Sequence, residues 1–296
     1  MKNKTPIRIL HLGHLGVGGT CGIAPEGKEK SEIQRWLTET KKELKKLVGI
    51  PKKYPDVLIV GGEIIEGRNH KNHGEQIYMQ INDQVNGAVD IISEFIGKNT
   101  KEVIVLYAHR YHASYETRIE EIASTMLRLR FPKITITCTP KAERTYLGKN
   151  LRFLHGHGGG TAYICSSQER NIKMNLQQAA LGKVNKIDQH YSYHTHRLAT
   201  ASVEGVNSIT CPAFKVMDLG GEMINPDGWL ADIGAVMTTI EVKYGDVRIR
   251  DDPILFKVKN FKQEIIEKSE TWGTPIIPKT RNQYTEKHDE ILLPKT

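Results

Sequence analysis

Cysteine and long apolar runs are both scarce in this sequence, and their scarcity limits what the chain can be. The four cysteines lie far apart and form no CxxC pair, which argues against a zinc ribbon and against a secreted disulfide scaffold. No apolar stretch approaches the roughly 20 residues that span a bilayer. The N-terminus also lacks the apolar region of a signal peptide. We therefore expect a cytoplasmic protein without a membrane partner.

The charge balance is basic, with a net charge of +8 at pH 7 and a pI of about 9.1. Such a balance favours an anionic partner, a phosphate ester or a nucleic acid, and an ordinary solvated basic surface is the alternative. The lysines are spread along the chain and form no basic arm with interleaved aromatic residues. Direct binding of nucleic acid is therefore only weakly indicated.

Histidine, in contrast, is concentrated: eleven of the twelve histidines fall in five short groups within the first 196 residues. The groups are His11 and His14; His70 and His73; His109 and His112; His155 and His157; and His190, His194 and His196. Three groups follow a short apolar run, and a fourth run at 57–60 leads into a glycine-rich block that contains Glu63 and Glu66. Strands that each deliver a His or Glu at one end are typical of a metal site at the edge of a sheet.

The hydrophobic pattern predicts one α/β domain over residues 1–256, followed by a basic C-terminal extension over 257–296. Strands at 7–12, 57–60 and 103–107 alternate with helices at 31–48, 81–96 and 116–130, a pattern that indicates parallel strands joined by helical crossovers. After Pro132 the pattern predicts short strands and more antiparallel pairing. These strands are expected at 134–138, 145–147, 151–154, 199–203, 207–211 and 234–243.

The candidate residues arrive in an order that resembles the calcineurin-like metallophosphoesterases, whose pattern is D-x-H, G-D-x-x-D-G, G-N-H or a variant, a lone His, and G-H-x-H. The matching segments are His14-Leu15-Gly16, the block from Gly62 to Gly67, His155, and Tyr193-His194-Thr195-His196. Further segments are similar to the phage- and archaea-associated branch of the family. They are Gly22 to Pro25 with Gln34 and Trp36, Arg68 to Asn72, Gln84, and Asp232-Ile233-Gly234. The resemblance spans roughly residues 7–245 and implies a sandwich of two mixed β-sheets flanked by helices.

The resemblance also implies two divalent ions that share a carboxylate and a hydroxide, which attacks phosphorus in line. By that correspondence the first ion would be held by His14, Glu63 and His196. The second ion would be held by Glu63, His155 and His194, with His109 as a further nitrogen donor. Imidazole donors with one certain carboxylate favour Mn, Zn, Fe or Ni over Mg.

The same correspondence assigns residues to catalysis and to substrate. His112 matches the last histidine of the third motif and is the candidate general acid, with His109 beside it. Arg110 is placed to contact a substrate phosphate, and Arg68 and Asn69 are candidate substrate-binding residues after the second motif.

Several positions depart from the family pattern. Leu12 stands where the family has a metal-ligating Asp, and leucine cannot ligate a metal. Glu63 replaces the bridging Asp, and Tyr193 replaces the glycine of the last motif. His11 lies next to Leu12, but in a regular strand it points to the opposite side. The second metal site is therefore expected to be complete and the first impaired, so that one or two ions bind.

These observations lead to a metal-dependent phosphoesterase as the first hypothesis, a phosphodiesterase or nuclease of phage-type nucleic-acid metabolism. The altered motifs favour an alternative, a catalytically weakened phosphoesterase-like protein that binds a nucleotide, a nucleic acid or a protein partner. A third hypothesis is another histidine-rich metalloenzyme, such as an oxygenase with a two-His-one-carboxylate triad. The order of the motifs fits phosphoester chemistry better than this third hypothesis.

Overall fold

The elements of the protein alternate between strands and helices in its first half and are mainly strands in its second. A computed structural model describes residues 5–49, 55–67, 79–108, 118–156, 166–216 and 231–258. The elements in chain order are β1 (Ile7–Leu12), α1 (Glu32–Leu47), β2 (Val57–Val60), α2 (Ile81–Ser93), β3 (Glu102–Leu106), α3 (Ile119–Arg130), β4 (Thr135–Thr139), β5 (Lys141–Tyr146), β6 (Lys149–His155), α4 (Ser166–Ala180), β7 (Gln189–Tyr193), β8 (Ala199–Val203), β9 (Val206–Thr210), β10 (Ile233–Lys243) and β11 (Asp246–Phe256).

Two mixed sheets are built from these strands. The first has the order β11-β10-β1-β2-β3-β4, and β1 to β4 run parallel because a helix or helical crossover returns the chain between them. The late strand β10 is antiparallel to both β1 and β11. The second sheet has the order β5-β6-β7-β9-β8, with β6, β7 and β9 parallel in its middle. The predicted α/β sandwich of two mixed sheets flanked by helices is confirmed.

The buried side chains divide into layers that explain this arrangement. Strand β2 is apolar at every position because it is covered on both faces. Leu58 and Val60 face the core under α1, α2 and α3, whereas Val57 and Ile59 face the second sheet. A smaller cluster around Ile172 packs α4 on the far side of the second sheet. The layers are therefore helices, sheet, sheet and helix.

Three elements were missing from the prediction, and the expected antiparallel pairing is only partly correct. The middle strands of the second sheet are parallel to one another, and antiparallel pairing is confined to its edge strands. Strand β7 reads Gln-His-Tyr-Ser-Tyr and lacks aliphatic residues, yet it is completely buried. Strand β11 alternates charged and apolar residues and has no fully buried position. Helix α4 buries only Gln168, Ile172 and Asn175, so its apolar periodicity is weak.

The C-terminal boundary agrees with the end of β11 at Phe256, but residues 259–296 lie outside the described ranges. The division into 1–256 and 257–296 thus stays a prediction. Among the described helices, none is long and apolar enough to cross a membrane.

Candidate metal centre

The loops that follow β1 and β2 are tied together at one edge of the first sheet. The Gly61 N–H donates to the Leu12 carbonyl over 2.8 Å, and the Gly16 N–H donates to the Glu63 carbonyl over 3.1 Å. A third segment joins them where the Phe214 N–H donates to the carbonyl of His14 over 2.7 Å. Parallel strands end at the same edge, so these loops collect side chains from distant parts of the sequence.

The first donor group consists of His14, Glu63 and His196. His14 Nδ1 lies 2.6 Å from Glu63 Oε2 and 2.6 Å from His196 Nε2. The two imidazole rings meet edge to face, with their centroids 4.4 Å apart. His14 and Glu63 are buried, and His196 is half-buried.

The second donor group uses the other oxygen of the same carboxylate. Glu63 Oε1 lies 3.1 Å from His194 Nδ1 and 3.6 Å from His155 Nε2. His155 Nδ1 is 2.5 Å from the Gly61 carbonyl, which can only accept a hydrogen bond, so this nitrogen carries the proton. His155 Nε2 therefore faces Glu63, and it is the nitrogen that would bind a metal ion after losing its proton. Metal-ligating histidines adopt this orientation.

Both groups fit a metal ion. In each, three residues offer ligand atoms that lie within 4.8 Å of one another, and Glu63 belongs to both. Imidazole nitrogens with a carboxylate suit Zn, Mn, Fe or Ni. The five predicted metal ligands are thus brought together from positions 14 to 196, while their binding of an ion stays a prediction.

The charges of the site favour an ionised Glu63. Burial opposes ionisation of this carboxyl, but the charge of His14 and hydrogen bonds from the surrounding imidazoles outweigh burial and hold its pKa well below the ordinary value. His155 has a raised pKa, because the hydrogen bond and charge of Glu63 outweigh the effect of burial. Burial, with the charge of His14 next in effect, lowers the pKa of His196 well below its usual range.

Backbone strain is concentrated at the same residues. The backbone φ angles of Glu63, His194 and His196 are 50°, 93° and 56°. These values lie in the left-handed region, which residues other than glycine rarely adopt. The other described non-glycine residues with positive φ lie in tight turns between paired strands; they are Leu147, Glu204 and Tyr244. Strained residues tend to occur at functional sites, where the surrounding structure enforces them.

Glycine at the end of β2 allows the two sheets to approach closely at the site. A Cβ built on Gly62, whose φ is 88°, would lie 2.8 Å from His155 Nδ1. A Cβ on Gly61 would lie 2.2 Å from the ring of Tyr193. The missing side chain of Gly61 therefore leaves the space that the ring of Tyr193 occupies.

His11 is not a ligand in this arrangement. It is fully buried between the sheets, with Nδ1 2.8 Å from the Tyr193 hydroxyl and Nε2 3.0 Å from Thr238 Oγ1. Its ring stacks on Tyr191 at 4.3 Å between centroids. Leu12 lies in the core under the helices, so the expected opposite orientation of His11 and Leu12 is confirmed.

Two charged side chains near the site were missed in the sequence. Lys215 forms a buried ion pair with Glu66, 2.5 Å from Nζ to Oε2. Glu120, in the first turn of α3, is buried and bonded to the backbone of Ala108, and burial raises its pKa. Neither Lys215 nor Glu120 belongs to a motif. The one signal in the sequence that could have indicated them is a charged residue among apolar neighbours.

Polar side chains outside the two donor groups hold the surrounding loops in place by hydrogen bonds to the backbone. Gln84 accepts from the Gly67 N–H over 2.9 Å and donates to the Met79 carbonyl over 2.9 Å. Gln34 donates to the Gly19 carbonyl over 2.8 Å. Asp232 accepts from the Leu198 N–H over 2.7 Å and so fixes the loop that carries His194 and His196.

The predicted catalytic and substrate-binding residues lie outside the described ranges. These residues are His109, Arg110 and His112 after β3, and Arg68 and Asn69 after the Glu63 loop. Their roles stay predictions.

Comparison of the chain with protein-family models and with curated proteins gives no match. Solved structures with a similar fold include wild-type Vps29 from Entamoeba histolytica complexed with Zn²⁺, at 12% identity over 83% of this chain and 99% of that one, with a TM-score of 0.38. A novel archaeal phosphodiesterase is 10% identical over 84% of this chain and 100% of its own, with a TM-score of 0.42. A putative 5'-nucleotidase from Staphylococcus aureus in complex with α-ketoglutarate is 8% identical over 90% of this chain and 59% of its own, with a TM-score of 0.46.

Proposed function

We propose that this protein is a metal-dependent phosphoesterase, and within that class a phosphodiesterase or nuclease that acts on nucleic-acid phosphodiesters. The observation that carries the proposal is the sharing of Glu63 by two donor groups, each completed by two histidines. A carboxylate among imidazoles suits a divalent ion, and the chemistry of such an ion suits hydrolysis of phosphate esters. The net charge of +8 supports an anionic substrate.

Each residue has a physical role in this proposal. A bound divalent ion supplies polarisation of the phosphoryl oxygen and lowers the pKa of water. Glu63 provides the negative charge that attracts the ion, and its ionisation is favoured by the imidazoles around it. The bond from His155 Nδ1–H to the Gly61 carbonyl fixes that ring, so its Nε2 is presented without reorientation. His112 is proposed to protonate the leaving oxygen, with Arg110, Arg68 and Asn69 holding the phosphate.

The test is hydrolysis of bis-p-nitrophenyl phosphate in Mn²⁺, Zn²⁺, Ni²⁺ and Mg²⁺, with metal content measured on the same samples. We expect metal-dependent turnover, highest with an ion other than Mg²⁺. Glu63→Gln keeps the shape of the side chain but removes its charge. Turnover should fall by more than about 100-fold, because changes to residues that merely support metal ligands already cost 10–100-fold. Glu39→Gln makes the same chemical change at an exposed carboxylate and should have no effect.

A binding protein with a weakened site is the second candidate, and the position of Leu12 favours it. Leu12 is fully buried in the apolar core, and among the described residues the first donor group has no carboxylate besides Glu63. Tight binding of metal without measurable turnover of any diester would select this candidate. Absence of metal binding by folded wild type would contradict both.

A further inference from the structure

A buried ion pair lies directly behind the first donor group. Lys215 and Glu66 are separated by 149 positions, and their side chains are 2% and 0% exposed. Removing two charges from water is costly even when they are paired. The pair is therefore weak evidence for stability, and its position next to the metal centre is the more informative feature.

Gly16 marks the point where the pair meets the centre. A Cβ built on Gly16 would lie 2.9 Å from Lys215 Cδ, 3.3 Å from His14 Nε2 and 3.4 Å from Glu66 Oε2. The backbone holds Lys215 in this place, because Gly22 and Lys215 form a β-bridge and the preceding Phe214 binds the His14 carbonyl. The ammonium is thus fixed beside the His14 side of the site.

The charges at this side of the site oppose a second cation. In the described part of the chain, Glu63 is the one carboxylate of the two donor groups, and two divalent ions would bring four positive charges to it. Leu12 supplies no charge, and the nearby carboxylate of Glu66 is engaged by Lys215.

We infer that Lys215 makes the metal centre mononuclear. One divalent ion is held by Glu63, His155 and His194. The Lys215 ammonium keeps a second ion out of the His14 group by adding positive charge and by engaging Glu66. This inference rests on the metal centre of the proposed function.

Three variants separate the charge of Lys215 from its packing. Lys215→Met keeps a long side chain but removes the ammonium, so that the charge of Glu66 is no longer offset by Lys215. The double variant Glu66→Gln/Lys215→Met removes both charges and leaves the net charge unchanged. Lys215→Arg keeps the positive charge. Circular dichroism and thermal unfolding establish that each variant is folded.

The experiment measures Mn²⁺ stoichiometry by equilibrium dialysis and the coupling of bound Mn²⁺ by electron paramagnetic resonance. Wild type and Lys215→Arg should bind one ion with an uncoupled six-line spectrum. Lys215→Met should bind a second ion at least about tenfold more tightly than wild type and give a spin-coupled spectrum. The double variant should stay at one ion, because it lacks the negative charge that Glu66 keeps in Lys215→Met.

Two comparable ions in wild type would overturn the inference and leave the proposed function intact. So would a folded Lys215→Met variant that stays at one ion. Failure of wild type to bind any Mn²⁺, Zn²⁺ or Ni²⁺ would instead overturn the proposed function. If Lys215→Met does not fold, the wild-type stoichiometry decides the question, with one uncoupled ion supporting the inference and two coupled ions refuting it.

Discussion

The exchange Leu12→Asp tests whether leucine has replaced a metal ligand at the end of β1. Leu12 is fully buried in the core beneath the helices, and its carbonyl accepts the Gly61 N–H that ties β1 to the Glu63 loop. His14 follows two residues later. The exchange therefore removes an apolar side chain from the core and adds a carboxylate two residues before His14, a member of the first donor group.

The expected cost without metal is large. Truncation of a fully buried leucine destabilises a protein by about 3–5 kcal/mol. Burial of a carboxylate adds to this cost, or the carboxyl stays protonated. We therefore expect the free energy of unfolding to fall by about 4 kcal/mol or more, a large part of the roughly 5–15 kcal/mol of a typical domain. An ion bound by the new carboxylate would return about 2.7 kcal/mol at a concentration 100 times its Kd.

The assay is urea unfolding of wild type, Leu12→Asp and Leu12→Asn with and without Mn²⁺, together with diester hydrolysis. Asparagine has nearly the size of aspartate but no charge, so it should lose similar stability and gain less from the metal. If the protein is an enzyme that lacks one metal ligand, Leu12→Asp should increase turnover. If it is a binding protein whose core packs around Leu12, the exchange should not increase turnover. Equal metal stabilisation of the Asp and Asn variants would refute ligation by residue 12, and unchanged stability without metal would refute the packing described for Leu12.

Two further predictions concern the glycine behind His155 and the buried histidines. Gly62→Ala should weaken metal binding by about tenfold or more, because the added Cβ would lie 2.8 Å from His155 Nδ1. The control is Gly148→Ala, where φ is nearly the same at 87° but the added Cβ would meet no atom within 4 Å. This control should leave metal binding unchanged. Burial lowers the pKa of His11 and His190 from 6.5 to about 3, so the stability they contribute is complete above pH 6.5 and is lost as the pH falls toward 3. At pH 5 each histidine should lower the free energy of unfolding by about 2 kcal/mol relative to pH 7.5. Urea titrations at several pH values give the slope of the free energy of unfolding against pH. For His190→Gln this slope should correspond to about one proton fewer than in wild type. An identical slope in the variant would contradict the claim that His190 is buried in its neutral form.

Local sequence patterns were sufficient for the strands and helices that build the first sheet. The apolar run at 57–60 predicts a strand because every position is buried, and the periodicity near Ser31 predicts α1, where Ser31 accepts from the Gln34 N–H as a cap. Helix α2 was predicted to end at 96 and ends at Ser93, and α3 was predicted to begin at 116 and begins at Ile119, so each boundary differs by about three residues. Strand β7 could not be found in this way, because its burial comes from its central place in the second sheet and its own side chains are mostly polar.

The sequence by itself determined which residue types reach the edge of the sheet, since each candidate ligand follows a strand or its loop. Tertiary structure alone decided how these residues combine: Glu63 directs one oxygen to His14 and the other toward His155 and His194. It also placed Lys215 beside His14 and filled the space above Gly61 with Tyr193. These contacts join residues that lie at least 49 positions apart in the sequence, and they depend on sheet register and on the packing of two sheets, which no local periodicity encodes.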